Sequence, residues 1–258
     1  MELTERLASL LSGTPLEGVA RAVWSELRAI GHPRARQSRR YDRETHQIIR
    51  RVVEPDSNCI DIGANRGVFL SAIVELAPRG THVAFEPLPD LAAALRRRFP
   101  QCTVHEVALS TARGQRTFCR VASDLGLSGF RRMGHVPENA HTQELVVATD
   151  RLDALIPETM PIRFMKLDVE GAQYEAVQGG VNTIRRARPY IVFEHGALAR
   201  ESYGTTSEMM YDLLVGECGL RISLMEDWLA DRAPLTREQF AGHVGFHRTS
   251  HFCFLAHP

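Results

Sequence analysis

From Asn58 onward the sequence alternates short apolar, β-branched runs with segments of helical periodicity, and this alternation limits the fold more than any other feature. The strand candidates are Cys59–Ile62, His82–Phe85, Thr103–Val107, Ile162–Leu167, Tyr190–Phe193, Arg221–Leu224 and Phe252–Ala256. Helical candidates lie between them at Val68–Leu76, Leu88–Phe99, Tyr174–Arg186 and Thr206–Glu217. Strands that alternate with helices build parallel βαβ units with helices on both faces. The expectation is an α/β, doubly wound, seven-stranded and mostly parallel sheet. Gly114–Val121 and Glu144–Ala148 read as an inserted strand pair. Between them, Ser123–His141 is rich in Gly, Ser, Arg and His, a composition for a loop over an active site.

The texture before Asn58 is different. Leu3, Leu7, Leu10 and Leu11 form one helical pattern, and Leu16, Val19, Ala20, Val23, Trp24 and Leu27 form a second. Gly13, Thr14 and Pro15 separate them, with Thr14 as N-cap and Pro15 at the first helical position. The polar stretch Gly31–Arg40 is read as a linker and Asp42–Val53 as a third helix. The domain reading is a helical extension or cap over residues 1–40 and one domain over 41–258.

Composition narrows the class. With 44% hydrophobic and 24% charged residues, 258 residues can bury a sizeable core, and disorder or a coiled-coil rod is excluded. No apolar run reaches the roughly 18–20 residues of a membrane span. The acidic start, Met1-Glu-Leu-Thr-Glu-Arg, does not match a secretory leader, so a cytoplasmic protein is expected. Formal net charge is zero, which argues against nucleic acid as partner. Five scattered cysteines with no C-x-x-C pair read as reduced thiols. Lys166 is the only lysine among 31 basic residues; the rest are arginine, as a GC-rich genome would produce. A lone lysine also marks a place where a planar guanidinium does not substitute.

The strongest local signal is Cys59-Ile-Asp-Ile-Gly-Ala-Asn-Arg-Gly-Val-Phe. An apolar strand ends near Asp61, and Gly63 and Gly67 bracket a turn that opens a helix at about Val68. Glycine lets such a turn form and lets a ligand approach. The second strand ends in Phe85-Glu86-Pro87, where an acidic side chain can accept both hydroxyls of a ribose. A dinucleotide site needs G-x-G-x-x-G, and here Asn65 and Val68 replace the second and third glycines. NAD is therefore disfavoured. Asp-x-Gly-x-x-x-Gly resembles the first motif of S-adenosylmethionine (SAM)-dependent methyltransferases.

Six segments occur in order: Asp61–Gly67, Phe85-Glu86-Pro87, Ala108-Leu-Ser110, Arg151-Leu-Asp153, Lys166–Gly171 and Arg188–Glu194. Together they resemble the FkbM family of methyltransferases over about residues 41–257. The resemblance implies a Rossmann-like class I methyltransferase sheet with its last strand antiparallel. It also implies SAM at the strands' carboxyl ends and methyl transfer to a hydroxyl. By match to the motifs, Gly63, Ala64, Asn65 and Gly67 should contact the methionine and ribose parts of SAM. Asp61 should anchor the turn or the cofactor's ammonium, Glu86 the ribose, and Ala108 should lie along the adenine or simply pack. Acceptors in the family are diverse, with sugars, glycolipids and polyketide-type metabolites expected as small-molecule or glycan partners.

The run Phe164-Met-Lys166-Leu-Asp168-Val-Glu170-Gly171 is the second strong site. Alternate strand residues share a face, so Lys166, Asp168 and Glu170 point one way. Such charges need partners or a polar ligand. Asp168 can reach the SAM ammonium or the acceptor hydroxyl. Asp168, Glu170 and His195, which follows the fifth strand, are the candidate catalytic bases. A purely structural Lys166–Glu170 ion pair is the competing reading.

A divalent metal held by Asp168, Glu170 and Glu194 is compatible with the carboxylate clustering, but none is expected. His243, His247 and His251 recur every four residues, yet Gly242 and Gly245 argue for loop and strand, so this spacing is taken as accidental. Eight arginines between Arg28 and Arg51 form either a solvated face or a basic lid for an anionic or carrier-linked acceptor. A homo-oligomer is compatible with the sequence. The expected function is SAM-dependent O-methylation. The alternatives are a nucleic-acid methyltransferase, against which the chain lacks the Asn/Asp-Pro-Pro-aromatic motif of amino methylation, and a non-catalytic SAM-binding module.

Overall fold

A computed structural model describes residues 33–134, 136–197, 202–245 and 251–258. The two helices expected within residues 2–30 lie outside them. In chain order come helix α1 (Pro33–Val52), β1 (Cys59–Ile62), α2 (Val68–Leu76), β2 (His82–Phe85), α3 (Pro89–Arg98), β3 (Thr103–His105) and β4 (Ala108–Leu109). There follow β5 (Gly114–Val121), β6 (Thr142–Asp150), α4 (Leu152–Leu155), β7 (Phe164–Leu167), α5 (Gln173–Gln178), α6 (Val181–Ala187) and β8 (Tyr190–Glu194). The last elements are α7 (Ser207–Tyr211), β9 (Arg221–Leu224), α8 (Met225–Leu229), α9 (Arg237–His243) and β10 (Cys253–His257). The chain divides into two compact units, residues 1–43 and 44–258, with the division falling inside α1.

Strands β1, β2, β7 and β8 carry short apolar runs, most of their residues buried, as a sheet covered on both faces requires. The seven-stranded sheet runs β3-β2-β1-β7-β8-β10-β9. Every pairing is parallel except those of β10, which is antiparallel to both neighbours. The expected doubly wound sheet with its final strand reversed is therefore present. The strand order turns back between β1 and β7, the switch point where ligands sit in open α/β sheets.

The period of two sorts the central strands. Ile60, Ile62, Met165, Leu167, Ile191 and Phe193 belong to the main apolar core on one face. Asp61 and Lys166, opposite one another in register, lie on the other. Both are buried, so the charges of this face are enclosed rather than solvated.

The second, three-stranded sheet has the order β4-β6-β5. Its β5–β6 ladder runs from Gly114↔Thr149 to Val121↔Thr142, longer than the sequence pattern suggests. Gly129 folds back on this sheet by exchanging backbone hydrogen bonds with Cys119 at 2.8 and 3.1 Å.

Four expectations change. The polar stretch 31–40 reads as a linker, but helix α1 starts at Pro33, a residue preset for a first helical turn. The helix expected over Tyr174–Arg186 is split at Gly179–Gly180, and a Cβ on Gly179 would lie 2.1 Å from the Ser110 carbonyl oxygen. The segment Thr206–Glu217 is α7 followed by a π-helical turn over Asp212–Glu217. Helix α9, with a capping box between Thr236 and Gln239, lies in a stretch whose pattern predicts no element.

Candidate functional site

The turn after β1 is built from backbone. Gly63 and Ala64 donate to the Phe85 carbonyl at 2.9 and 3.1 Å, tying the turn to the end of β2. Asn65 sits at φ 48°, and its N–H donates to Glu86 Oε2 at 2.8 Å. Leu88 N–H donates to the other oxygen, Oε1, at 3.0 Å. Glu86 is thus held at both oxygens, and burial pushes its pKa above the usual carboxylate range against the pull of those two N–H groups. Each oxygen keeps a second lone pair for a ligand hydroxyl.

The turn opens into a cavity of about 230 Å³. Of the residues assigned from sequence, Asp61, Gly63, Ala64, Asn65, Glu86, Ala108, Asp168 and Glu170 line it. Gly67 does not. It caps α2 at φ 74°, where a Cβ would lie 2.6 Å from the Phe99 ring and 2.8 Å from Leu95, so its missing side chain serves helix packing.

Lys166 also lines the cavity and is 3% exposed. Its Nζ donates to Asp168 Oδ2 at 3.1 Å and lies over the Phe69 ring, 5.4 Å from the centroid. Burial opposes its charge, but Asp168 foremost, with Glu194 beside it, outweighs burial and leaves its pKa above the ordinary lysine value. Asp61 is pushed up to about 7 by burial, despite the nearby Lys166 and a hydrogen bond from the Leu70 N–H. Glu170, at φ 46°, is held well above the usual carboxylate range by burial and then by Asp168, Glu194 and Asp124. The cavity end of β7 therefore presents an ammonium beside Asp168, with a Glu170 carboxyl that burial and its carboxylate neighbours make harder to ionise.

His195 is not part of this group. It is buried, its ring stacks on Phe240 with centroids 5.5 Å apart, and Nε2 meets Ser207 Oγ at 3.2 Å. Burial lowers its pKa to about 4, and it is not among the cavity's lining residues. His243 and His251 rings meet edge to face at 5.2 Å, and His247 lies outside the described residues. Among the described residues no group of three or more His, Cys, Asp or Glu side chains is arranged to hold a metal ion.

The structure adds residues that sequence reasoning does not single out. Phe69 comes from α2; Phe118, Leu125, Gly126, Ser128 and Phe130 come from the second sheet and the loop after β5. Phe130 is wedged between Phe118, at 5.7 Å, and the Arg116 guanidinium, 3.9 Å from its ring centroid. Arg116 is fixed in turn by an ion pair with Glu175 and a hydrogen bond to Ser110 Oγ at 3.2 Å. The Gly- and Ser-rich composition of 123–141 is the available signal, and part of that loop does cover the cavity.

The residues present fit an adenosine-type ligand. Glu86 offers acceptors for vicinal hydroxyls, and Phe118, Phe130, Leu88 and Ala108 give an apolar slot for a flat base. Asn65 Oδ1 is buried without a hydrogen-bond partner, an acceptor awaiting a donor.

Comparison with known proteins agrees in class. The family model described as "Methyltransferase FkbM domain" matches residues 61–222. The 2-O-methyltransferase NoeI of Sinorhizobium fredii is 29% identical over 157 residues, covering 55% of this chain and 65% of NoeI. AMB antimetabolite synthetase AmbE of Pseudomonas aeruginosa is 44% identical over 71 residues, covering 26% of this chain and 3% of AmbE. The chain thus spans less than two thirds of either curated relative. The crystal structure of methyltransferase FkbM from Methylobacillus flagellatus KT superposes with a TM-score of 0.49 at 15% identity, over 80% of this chain and 44% of that one.

Proposed function

The chain belongs to the FkbM methyltransferase family, and we propose that it is a SAM-dependent methyltransferase that methylates a hydroxyl of a sugar, glycolipid or polyketide-type metabolite. The observation that carries this reading is one cavity holding both the Glu86–Asn65 cradle and the Asp168 carboxylate. The similarity to a relative named as a 2-O-methyltransferase supports oxygen as the methylated atom.

When bound, SAM supplies an electrophilic methyl group on a sulfonium. Glu86 and Asn65 hold the ribose side, and the slot between Ala108 and Phe118 takes the base. Asp168, whose side chain is 33% exposed beside Lys166, accepts the hydrogen bond of the acceptor hydroxyl and takes its proton as the oxygen gains the methyl group. Glu170, whose carboxyl is harder to ionise than usual, lines the same cavity and faces the acceptor beside Asp168. The chain's main contribution is alignment of the acceptor oxygen with the methyl carbon.

The test is calorimetry with SAM and with NAD, followed by methyl-labelled SAM with a panel of methyl glycosides and with short RNA and DNA oligonucleotides. Heat with SAM alone and label on a glycoside oxygen are expected. Absence of heat with SAM sinks the reading, label on an oligonucleotide replaces it with nucleic-acid methylation, and binding with no transfer to any acceptor favours a non-catalytic module.

A further inference from the structure

Lys166 is the one basic position in the chain that is not arginine, and it is 3% exposed at the carboxyl end of a central strand. An ammonium taken out of water is costly unless it is paired and hydrogen-bonded. Its Nζ finds Asp168 Oδ2 at 3.1 Å and the Phe69 ring at 5.4 Å, and its residue is the register partner of Asp61 on the neighbouring strand. The Phe69 ring packs in turn against the His46 ring, with centroids 5.4 Å apart. The surroundings of Nζ therefore include an aromatic ring and one carboxylate as its hydrogen-bonded partner. A compact ammonium fits such a space, whereas a planar guanidinium with five donors does not.

We propose that Lys166 is a positioning residue: its buried ammonium holds one oxygen of Asp168 so that the other presents a fixed acceptor to the hydroxyl being methylated. The inference rests on the proposed role of Asp168. It assigns Lys166 no contact with the reacting atoms. Loss of the ammonium leaves Asp168, already part-exposed, free to rotate within the cavity, and misplacement of that scale costs roughly ten- to a hundred-fold in rate. A lysine that served folding alone would change the unfolding midpoint and leave transfer by the folded enzyme intact.

The single lysine makes a direct test available. Selective ¹⁵N-lysine labelling gives one side-chain ammonium signal, assigned without mutagenesis, and a hydrogen-bonded buried ammonium exchanges slowly enough to be seen at neutral pH. The expected result is a protected ammonium resonance in the wild type that shifts or broadens away in Asp168→Asn. No protected resonance, or one unmoved by Asp168→Asn, overturns the proposal.

Three variants, Lys166→Met, Lys166→Arg and Asp168→Asn, are then compared for S-adenosylhomocysteine binding and for transfer to a glycoside that the wild type methylates. Lys166→Met and Lys166→Arg should lower kcat roughly ten-fold or more with a smaller change in acceptor KM, and bind S-adenosylhomocysteine within about three-fold of wild type. In the Asp168→Asn background Lys166→Met should cost nothing further. Additive losses overturn the proposal, as does a ten-fold loss of S-adenosylhomocysteine affinity in Lys166→Met alone. Slow Asp168→Asn with unimpaired Lys166→Met overturns the Lys166 role only; fully active Asp168→Asn overturns both it and the proposed role of Asp168.

Discussion

A β-carbon on Gly63 would stand 1.7 Å from the carbonyl oxygen of Asp168. The tips of β1 and β7 are that close because Asp168 N–H donates to the Ile62 carbonyl at 2.9 Å, which draws the backbone of the proposed base against the cofactor turn. Gly63 also lies at φ 78°. Gly63→Ala should therefore destabilise the chain by about 3 kcal/mol or more and abolish SAM binding. Gly204 is the control: at φ 71° a Cβ added to it would meet nothing within 4 Å, so Gly204→Ala should cost only about 1–2 kcal/mol. Equal losses in urea unfolding would show that the contact with Asp168 contributes nothing.

Asp61 supplies a pH signature. Its pKa is about 7 when folded against an ordinary 3.8, so between those values the folded state holds a proton that the unfolded chain has released. Its contribution to stability is full below about pH 4 and falls by about 1.4 kcal/mol per pH unit until pH passes 7. Asp61→Asn should flatten the unfolding free energy over this window. An unchanged slope would mean that other groups set it.

Glu86 accepts two backbone N–H groups, and a glutamine there has one acceptor oxygen and an NH₂ that meets the other donor head-on. Glu86→Gln should lose about 1–3 kcal/mol of stability and weaken SAM binding about ten-fold or more by calorimetry. Full SAM affinity in a folded Glu86→Gln protein would remove Glu86 from the cofactor site.

His195 separates packing from chemistry. Its pKa near 4 lies below the usual 6.5, so the unfolded chain binds the extra proton between those values and stability rises as pH climbs through them. His195→Phe should lose that rise while keeping methyl transfer within about three-fold of wild type. Collapse of transfer with the fold intact would put His195 in the chemistry after all.

The sheet is legible in the sequence because its signal is local. Runs such as Cys59–Ile62 and His82–Phe85 are apolar at nearly every position, and burial on both faces demands that pattern. The β1 turn is legible for the same reason: Gly63, Asn65 and Glu86 carry their geometry in residue type and spacing. Pairing across distance is what a sequence does not display. Whether Gly67 faces a ligand or Phe99 depends on the path of α3, some 30 residues on. His195 follows a central strand, as an active-site residue would, but Phe240 of α9 stacks on it, and the spacing of Thr236 and Gln239 that caps α9 says nothing of which strand that helix meets. The wall made by Phe118 and Phe130 needs the β5–β6 register before either ring can be placed.

That wall has a consequence for how such a chain can diversify. Phe118 belongs to a sheet with a hydrogen-bond ladder of its own, and Leu125 and Phe130 to the loop that follows its strand β5; this sheet is continuous with the central one through no strand pairing among the described residues. Insertions or exchanges between β5 and β6 can remodel the chamber's roof while the ladder of the seven strands keeps its register. One floor can in this way serve differently shaped ceilings, each admitting another ligand.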